Sequence, residues 1–242
     1  TQETKRDSNI EFVADINLNK LDHIFTKNSK SSIFLETQQV TKRFGGITPV
    51  DNITQSFQPG KVRCIIGPNG AGKSSFLKIC TGIYKLDNGE VKIGNQIVTD
   101  MHPYKRIKFG LGIKMQTAQV FAELNVKENL WIAAYSRNHD KIEAEKISNE
   151  MLHLISMKKQ SSFLASELSH GEQQWLDIGM VLCLSPKVLL LDEPAAGMTK
   201  KEQKQLSELI KNLAKINTII VIDHDMDFIR SLDADVTVLH QG

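Results

Sequence analysis

Residues 67 to 74 read Gly67-Pro68-Asn69-Gly70-Ala71-Gly72-Lys73-Ser74, and glycines at this spacing before a Lys-Ser pair make a loop suited to holding phosphate. Glycine lets the backbone curl until successive N–H groups point inward, and a helix starting at the loop's end adds its positive terminus. Both neighbours are in place: Val62-Arg63-Cys64-Ile65-Ile66 reads as a buried strand running into the turn, and Ser74 to Thr81 has helical character. In such a loop Lys73 is expected along the β- and γ-phosphates of a nucleotide and the Ser74 hydroxyl on Mg²⁺. Residues Gly67 to Ser75 are therefore the expected ATP-binding stretch, with Ser75 as its last member.

Val188-Leu189-Leu190-Leu191-Asp192-Glu193 is an apolar run ending in two acids, so a buried strand would deliver carboxylates at the sheet edge where open α/β folds bind ligands. Asp192 suits Mg²⁺, reached through water, and Glu193 suits polarising the water that attacks a γ-phosphate. Taken alone, such a run is often only a strand meeting solvent; beside a phosphate loop it becomes the other half of one site. Leu168-Ser169-His170-Gly171-Glu172 lies shortly before it. Ser169 with Glu172 three positions on forms a capping box for a helix carrying Trp175 to Cys183, so a hydroxyl and several N–H groups converge where an anion can bind. A second anion-ready terminus in a chain that already has a phosphate loop implies a nucleotide gripped by two copies.

Alternating strands and helices would position these groups. Ile33 to Phe44, Ile53 to Phe57, Val62 to Ile66, Val188 to Leu191, Thr218 to Ile222 and Val236 to Leu239 read as strands, and Gly89 to Val98 as a two-stranded excursion. Asn125 to Leu168 reads as mostly helix: Asn125 and Glu128 form a capping box, and Ile142 to Met157 repeats apolar residues at helical spacing. Lys200 to Lys215 reads as a polar helix. The pattern predicts a largely parallel sheet with helices on its faces and a helical insertion. Residues 1 to 32 are polar, with scattered apolar positions such as Ile10, Phe12 and Leu18 that form at most one weak amphipathic helix before a linker, and they are expected to lie outside the fold.

The 242 residues are 40% hydrophobic and 24% charged, enough for one good core or two unequal ones. No stretch approaches the ~18 apolar residues of a membrane span, and the first residues do not read as a secretory signal. A soluble chain is expected, with any membrane role coming through a partner. Thirty Lys and Arg against 28 Asp and Glu leave a formal charge of +2, too small to argue for nucleic acid or an acidic bilayer as partner. Cys64, Cys80 and Cys183 are each set among apolar neighbours, which fits buried reduced thiols better than a disulfide frame or metal site.

The order of phosphate loop, Leu168-Ser169-His170-Gly171-Glu172 and acidic strand resembles the ABC ATPases, whose signature reads Leu-Ser-Gly-Gly-Gln. The resemblance covers roughly residues 33 to 242. It implies an α/β phosphate-loop fold with a mostly parallel core sheet (about 33 to 116 and 175 to 242), an antiparallel β subdomain and an inserted helical subdomain (about 117 to 174). It implies that Phe44 stacks on adenine, that Gln116 reaches Mg²⁺ and the attacking water, that His224 contacts the γ-phosphate, and that Ser169, His170, Gly171 and Glu172 serve the ATP of a partner chain. Alone, a Phe at a strand end, a single Gln or a strand-end His would be unremarkable.

Arg43-Phe44-Gly45-Gly46, Asp192-Glu193-Pro194-Ala195-Ala196-Gly197-Met198 and Asp223-His224-Asp225-Met226-Asp227-Phe228 look like the ATPases of branched-chain amino-acid type importers. Residues 168 to 180 and 236 to 242 are most similar to a urea-importer ATP-binding subunit. This implies a peripheral protein on the cytoplasmic face of a bacterial inner membrane, working with a second ABC ATPase subunit in a mixed pair, two transmembrane permease subunits and, indirectly, a periplasmic binding protein. The alternatives are a branched-chain amino-acid importer, a lipopolysaccharide-export ATPase and a non-transport ABC ATPase acting on DNA or the ribosome; a small phosphate-loop kinase or GTPase lacks the signature helix. Three departures stand out: His170 replaces a signature glycine, Glu172 a glutamine, and Thr199 the aspartate that couples the two ATP sites in many members.

Overall fold

The structure is a computed structural model describing residues 34–242; the weak amphipathic helix expected before residue 32 lies outside them. The chain enters through two long antiparallel strands, β1 (Leu35–Phe44) and β2 (Ile47–Phe57), then β3 (Val62–Ile66), α1 (Lys73–Thr81), β4 (Asn88–Ile93) and β5 (Gln96–Ile97). After α2 (Pro103–Lys108) and β6 (Leu111–Lys114) comes a helical block, α3 (Val126–Asn138), α4 (Lys141–Leu154) and α5 (His170–Cys183). Strand and helix then alternate as β7 (Val188–Asp192), α6 (Lys200–Ala214), β8 (Thr218–Ile222), α7 (Met226–Ser231) and β9 (Asp235–Val238).

Two sheets result, one of four strands in the order β2-β1-β4-β5 and one of five in the order β6-β7-β8-β3-β9. Every pair in the first is antiparallel and every pair in the second parallel. β7 and β8 are buried at every position, as branched aliphatics on a sheet covered on both faces must be. Their alternation divides the interior: Leu189, Leu191, Ile219 and Val221 pack with the helical block and α6, whereas Val188, Leu190, Ile220 and Ile222 pack with α1 and the antiparallel sheet.

The helical block starts where the capping boxes place it. Asn125 Oδ1 accepts from the Glu128 N–H at 2.8 Å while Glu128 Oε2 accepts from the Asn125 N–H at 2.8 Å. Ile142, part of the apolar repeat expected of α4, is instead 85% exposed; Ala144, Ile147 and Met151 carry the buried face. The three cysteines are free and buried, and burial pushes the Cys64 and Cys80 thiols up to about 12. No helix among the described residues is long and apolar enough to cross a membrane.

One positioning device is invisible in the sequence pattern. Arg106 of α2 is buried, and its guanidinium donates to the carbonyls of Ile79 (2.9 Å), Cys80 (2.8 Å), Thr99 (2.8 Å) and Met101 (3.1 Å). The last turn of α1 leaves carbonyls without helical partners, and this cation satisfies them, pinning the far end of the helix that starts at Lys73.

Candidate active site

Because the five-stranded sheet is wholly parallel, the C-terminal ends of β3, β7, β8 and β6 share one edge, the place where open α/β sheets bind ligands. Residues 67–72 leave β3 there. Gly72, at φ +101, caps α1 from the left-handed region, and a Cβ on it would lie 1.9 Å from the Pro49 carbonyl oxygen. A Cβ on Gly67 would meet the Leu239 oxygen at 2.2 Å. The loop is thus clasped on both sides by backbone, and only glycine fits. Lys73 Nζ lies across it, donating to the carbonyls of Gly67 (2.7 Å) and Pro68 (3.0 Å). Ala71 is buried beneath the loop, while Pro68, Asn69, Gly70 and Ser74 are exposed and Ser75 is half-buried.

Asp192 ends β7 buried, and Glu193 follows at φ +44, a conformation costing a non-glycine residue ~1–2 kcal/mol. Its N–H donates to the Ile222 carbonyl at 2.8 Å, which fixes the turn. Both carboxylate oxygens are held: Gln116 Nε2 donates to Oε2 at 2.8 Å, and His224 Nδ1 stands 3.3 Å from Oε1. Asp223, also buried, accepts from the N–H groups of His224 (2.7 Å) and Asp225 (3.0 Å) through Oδ1, orienting the turn that carries His224.

These acids act electrostatically on a buried cation. Lys114 ends β6 fully enclosed, its ammonium donating to the Met115 carbonyl at 2.6 Å and lying 3.4 Å from that of Gln116. Burial lowers its pKa, while Asp177, Asp192, Asp223 and Glu193 oppose that drop. Burial raises Asp192 and Asp223, with Glu193's charge adding to both, and pushes Asp177 of α5 up to about 6. A positive centre here offsets the cost of several carboxylates at one edge.

Mg²⁺ suits the oxygens available. Gln116 turns its Nε2 toward Glu193, so its amide oxygen points away from that carboxylate; the Ser74 hydroxyl is exposed and the Asp192 carboxylate lies beneath. No group of three or more His, Cys, Asp or Glu that could hold a metal occurs among the described residues.

Phe44 closes β1 at a hairpin tip, 44% exposed, edge-on to Tyr84 at 5.0 Å and with Lys42 Nζ 5.1 Å from its ring centroid. Ser169 caps α5, and its hydroxyl donates to Glu172 Oε2 at 2.8 Å, the same oxygen that accepts from the Ser169 N–H at 2.8 Å. In this single chain the Ser169 hydroxyl and N–H are thus engaged by the Glu172 side chain, as in any capping box closed by Glu or Gln, and a partner's phosphate would have to draw the hydroxyl from that bond. His170 and Gly171 lie against the turn after Glu193, and Gln174 Nε2 sits 3.4 Å from the Gln116 carbonyl.

The family described as ABC transporter matches residues 50–196. The chain belongs to it. ABC ATPases hydrolyse ATP with Mg²⁺, and the phosphate loop and acids sit accordingly. The chain is 33% identical over 213 residues to a ribose import ATP-binding protein, RbsA, of Caldanaerobacter subterraneus subsp. tengcongensis, covering 86% of this chain but only 43% of that protein. It is 30% identical over 229 residues to the high-affinity branched-chain amino acid transport ATP-binding protein LivG of Escherichia coli, covering 88% and 90%. Among solved structures, the ADP conformation of the ATP-binding cassette MJ1267 superposes with a TM-score of 0.76 at 28% identity, over 87% of this chain and 88% of that one. The dimeric cassette MJ0796 superposes at 0.78 with 25% identity, over 86% and 95%.

The ABC fold brings the loop, Gln116, Asp192, Glu193 and His224 to one edge; Ser169 to Glu172 start α5, touching that edge through Gln174 and through the contact of His170 and Gly171 with Gly197. Sequence reasoning missed Lys114, Asp177, Tyr84 and Arg106. A lysine inside the apolar strand Leu111-Gly112-Ile113-Lys114 was the available signal, since a charge there needs partners.

Proposed function

We propose that this chain is the ATP-hydrolysing subunit of an ABC importer and works as one half of an ATP-clamped pair. The observation that carries the reading is the Glu193 carboxylate, held by Gln116 and His224 at the sheet edge from which the phosphate loop leaves. Residues 67–75 bind the triphosphate, with Phe44 against adenine. Ser74, Gln116 and, through water, Asp192 would hold Mg²⁺, which would supply positive charge against the phosphate oxygens. Glu193 accepts a hydrogen bond from the attacking water and draws its proton as the oxygen–phosphorus bond forms; His224 orients the same water, and the bond from the γ-phosphorus to the bridging oxygen breaks, giving ADP and phosphate.

Closure of two such chains, each offering Ser169 to Glu172 to the other's ATP, would move two permease subunits docked near Gln116 and the helical block, and hydrolysis would reopen them. In this reading the pair is mixed, the chain sits on the cytoplasmic face of the inner membrane, and a periplasmic binding protein delivers cargo from the far side.

For cargo we propose urea or a related small amide, on the likeness of residues 168–180 and 236–242 to urea-importer subunits. A second reading, branched-chain amino acids, is favoured by the LivG relatives, which match over most of their length. Uptake of labelled urea and labelled leucine in cells lacking this chain separates them. Loss of urea uptake alone supports the first reading and loss of leucine uptake alone the second; retention of both, with other imported solutes also unaffected, would remove the importer reading.

A further inference from the structure

His170 occupies room that exists only because residue 197 is glycine. A Cβ on Gly197, which stands at φ +75 in the turn after Glu193, would lie 2.1 Å from His170 Cδ2 and 2.9 Å from Nε2. The neighbouring Gly171 lies in looser contact: a Cβ there would be 3.3 Å from Glu202 Oε1 and 3.5 Å from the Gly197 carbonyl oxygen. The first turn of α5 therefore rests directly on residues 197–202. On its other side, His170 Nε2 is 3.4 Å from Gln174 Nε2, and the fully buried Gln174 puts that same nitrogen 3.4 Å from the Gln116 carbonyl. An amide nitrogen can only donate, so a hydrogen bond here has the imidazole accepting through Nε2. From Gln116 the chain of contacts ends at Glu193.

The signature end of α5 is in this way tied to Glu193 by two routes. One is a packing contact with the turn after it, and the other is a polar relay through Gln174 and Gln116. Thr199 offers no comparable link, since its N–H and hydroxyl both donate to Glu202 Oε2, at 2.7 and 2.8 Å, in the cap of α6.

We propose that His170 is a positioning residue that couples the two ATP sites of a pair, holding the signature that serves one nucleotide in register with the Glu193 and Gln116 that serve the other. The proposal rests on the ATP-clamped pair described above. When the partner's phosphate draws on the start of α5, the ring presses on Gly197 and the Gln174 amide shifts the Gln116 backbone. A glycine at 170 would leave both routes without a side chain.

The test compares His170→Gly, which removes ring and acceptor, with His170→Gln, which keeps an acceptor of similar reach, in the full chain. Wild-type ATPase activity is expected to rise sigmoidally with ATP. His170→Gly should lower kcat about tenfold, with KM changed by less than about twofold and a hyperbolic ATP dependence, and His170→Gln should restore most of the rate. Without nucleotide, amide hydrogen exchange at residues 196–198 should accelerate in His170→Gly and return toward wild type in His170→Gln. Unchanged kcat and ATP dependence in His170→Gly, or a loss that His170→Gln does not relieve, would overturn the proposal. Absence of ATPase activity from the wild-type chain both alone and mixed with the second ATPase chain of its pair would instead remove the underlying function, and the exchange arm, which needs no ATP, would still decide whether His170 holds the turn.

Discussion

Gln116 Nε2 donates to Glu193 Oε2 at 2.8 Å, joining the end of β6 to the end of β7 across the site. The contact fixes the orientation of the Glu193 carboxylate and leaves the Gln116 amide oxygen directed away from it.

Gln116→Ala should therefore lower kcat by roughly 10²-fold, within the range for loss of a group that orients acid–base chemistry, with a much smaller effect on nucleotide affinity. Gln116→Glu should be at least as damaging, because it sets a second carboxylate against Glu193. Steady-state ATPase rates alongside calorimetric ATP binding make the comparison; a rise in Kd as large as the fall in kcat would recast Gln116 as a binding residue.

Asp177 gives a pH dependence of definite sign. Burial pushes its carboxyl up to about 6 from 3.8, so between those values the folded chain binds more protons than the unfolded one, and stability falls as pH rises through the window. Asp192 and Asp223 shift in the same direction. Asp177→Asn should flatten the decline between about pH 4 and 6, by up to about 3 kcal/mol at its upper end, reduced by whatever Lys114 loses with its neighbour's charge. Urea unfolding at several pH values measures it; an unaltered slope would show that Asp177 does not titrate in that window.

Arg106→Met removes the cation from two buried carbonyls, Ile79 and Cys80, and two half-buried ones, Thr99 and Met101. Because a buried acceptor without a partner costs ~1–3 kcal/mol and the Ile79 carbonyl keeps the Gly82 N–H, a loss of about 1–3 kcal/mol is expected, read as a lower urea midpoint at unchanged slope. Nucleotide affinity should fall with it, since α1 runs from this anchor to Lys73. A midpoint unchanged from wild type would mean that water replaces the guanidinium.

The parts of this molecule that the sequence makes plain share one property: their cause is local. The glycines and lysine of residues 67–73, the apolar runs of β3, β7 and β8, and the boxes at Asn125 and Ser169 each signal through neighbours within a few positions. β6 is four residues long and ends in lysine, so its burial could not be read before the charges of Asp177, Asp192 and Asp223 were known to act on it. Arg106 serves carbonyls up to 27 positions away, and α2 carries no apolar period to announce it. Gln116 and His224 could be assigned only by resemblance, because a lone glutamine or histidine has no pattern. The Ser169 capping box was readable, yet its consequence was not: the carboxylate that caps the helix also occupies the hydroxyl expected to face phosphate.

The most direct test of the ATP-clamped pair uses Glu193→Gln, which keeps the hydrogen-bonding shape of the site but should not hydrolyse ATP. Light scattering on this variant, alone and mixed with the second ATPase chain of its assembly, should report the single-chain mass of 27.2 kDa without nucleotide and about double that with ATP. A single-chain mass in both samples, with calorimetry confirming that ATP is bound, would contradict the clamp.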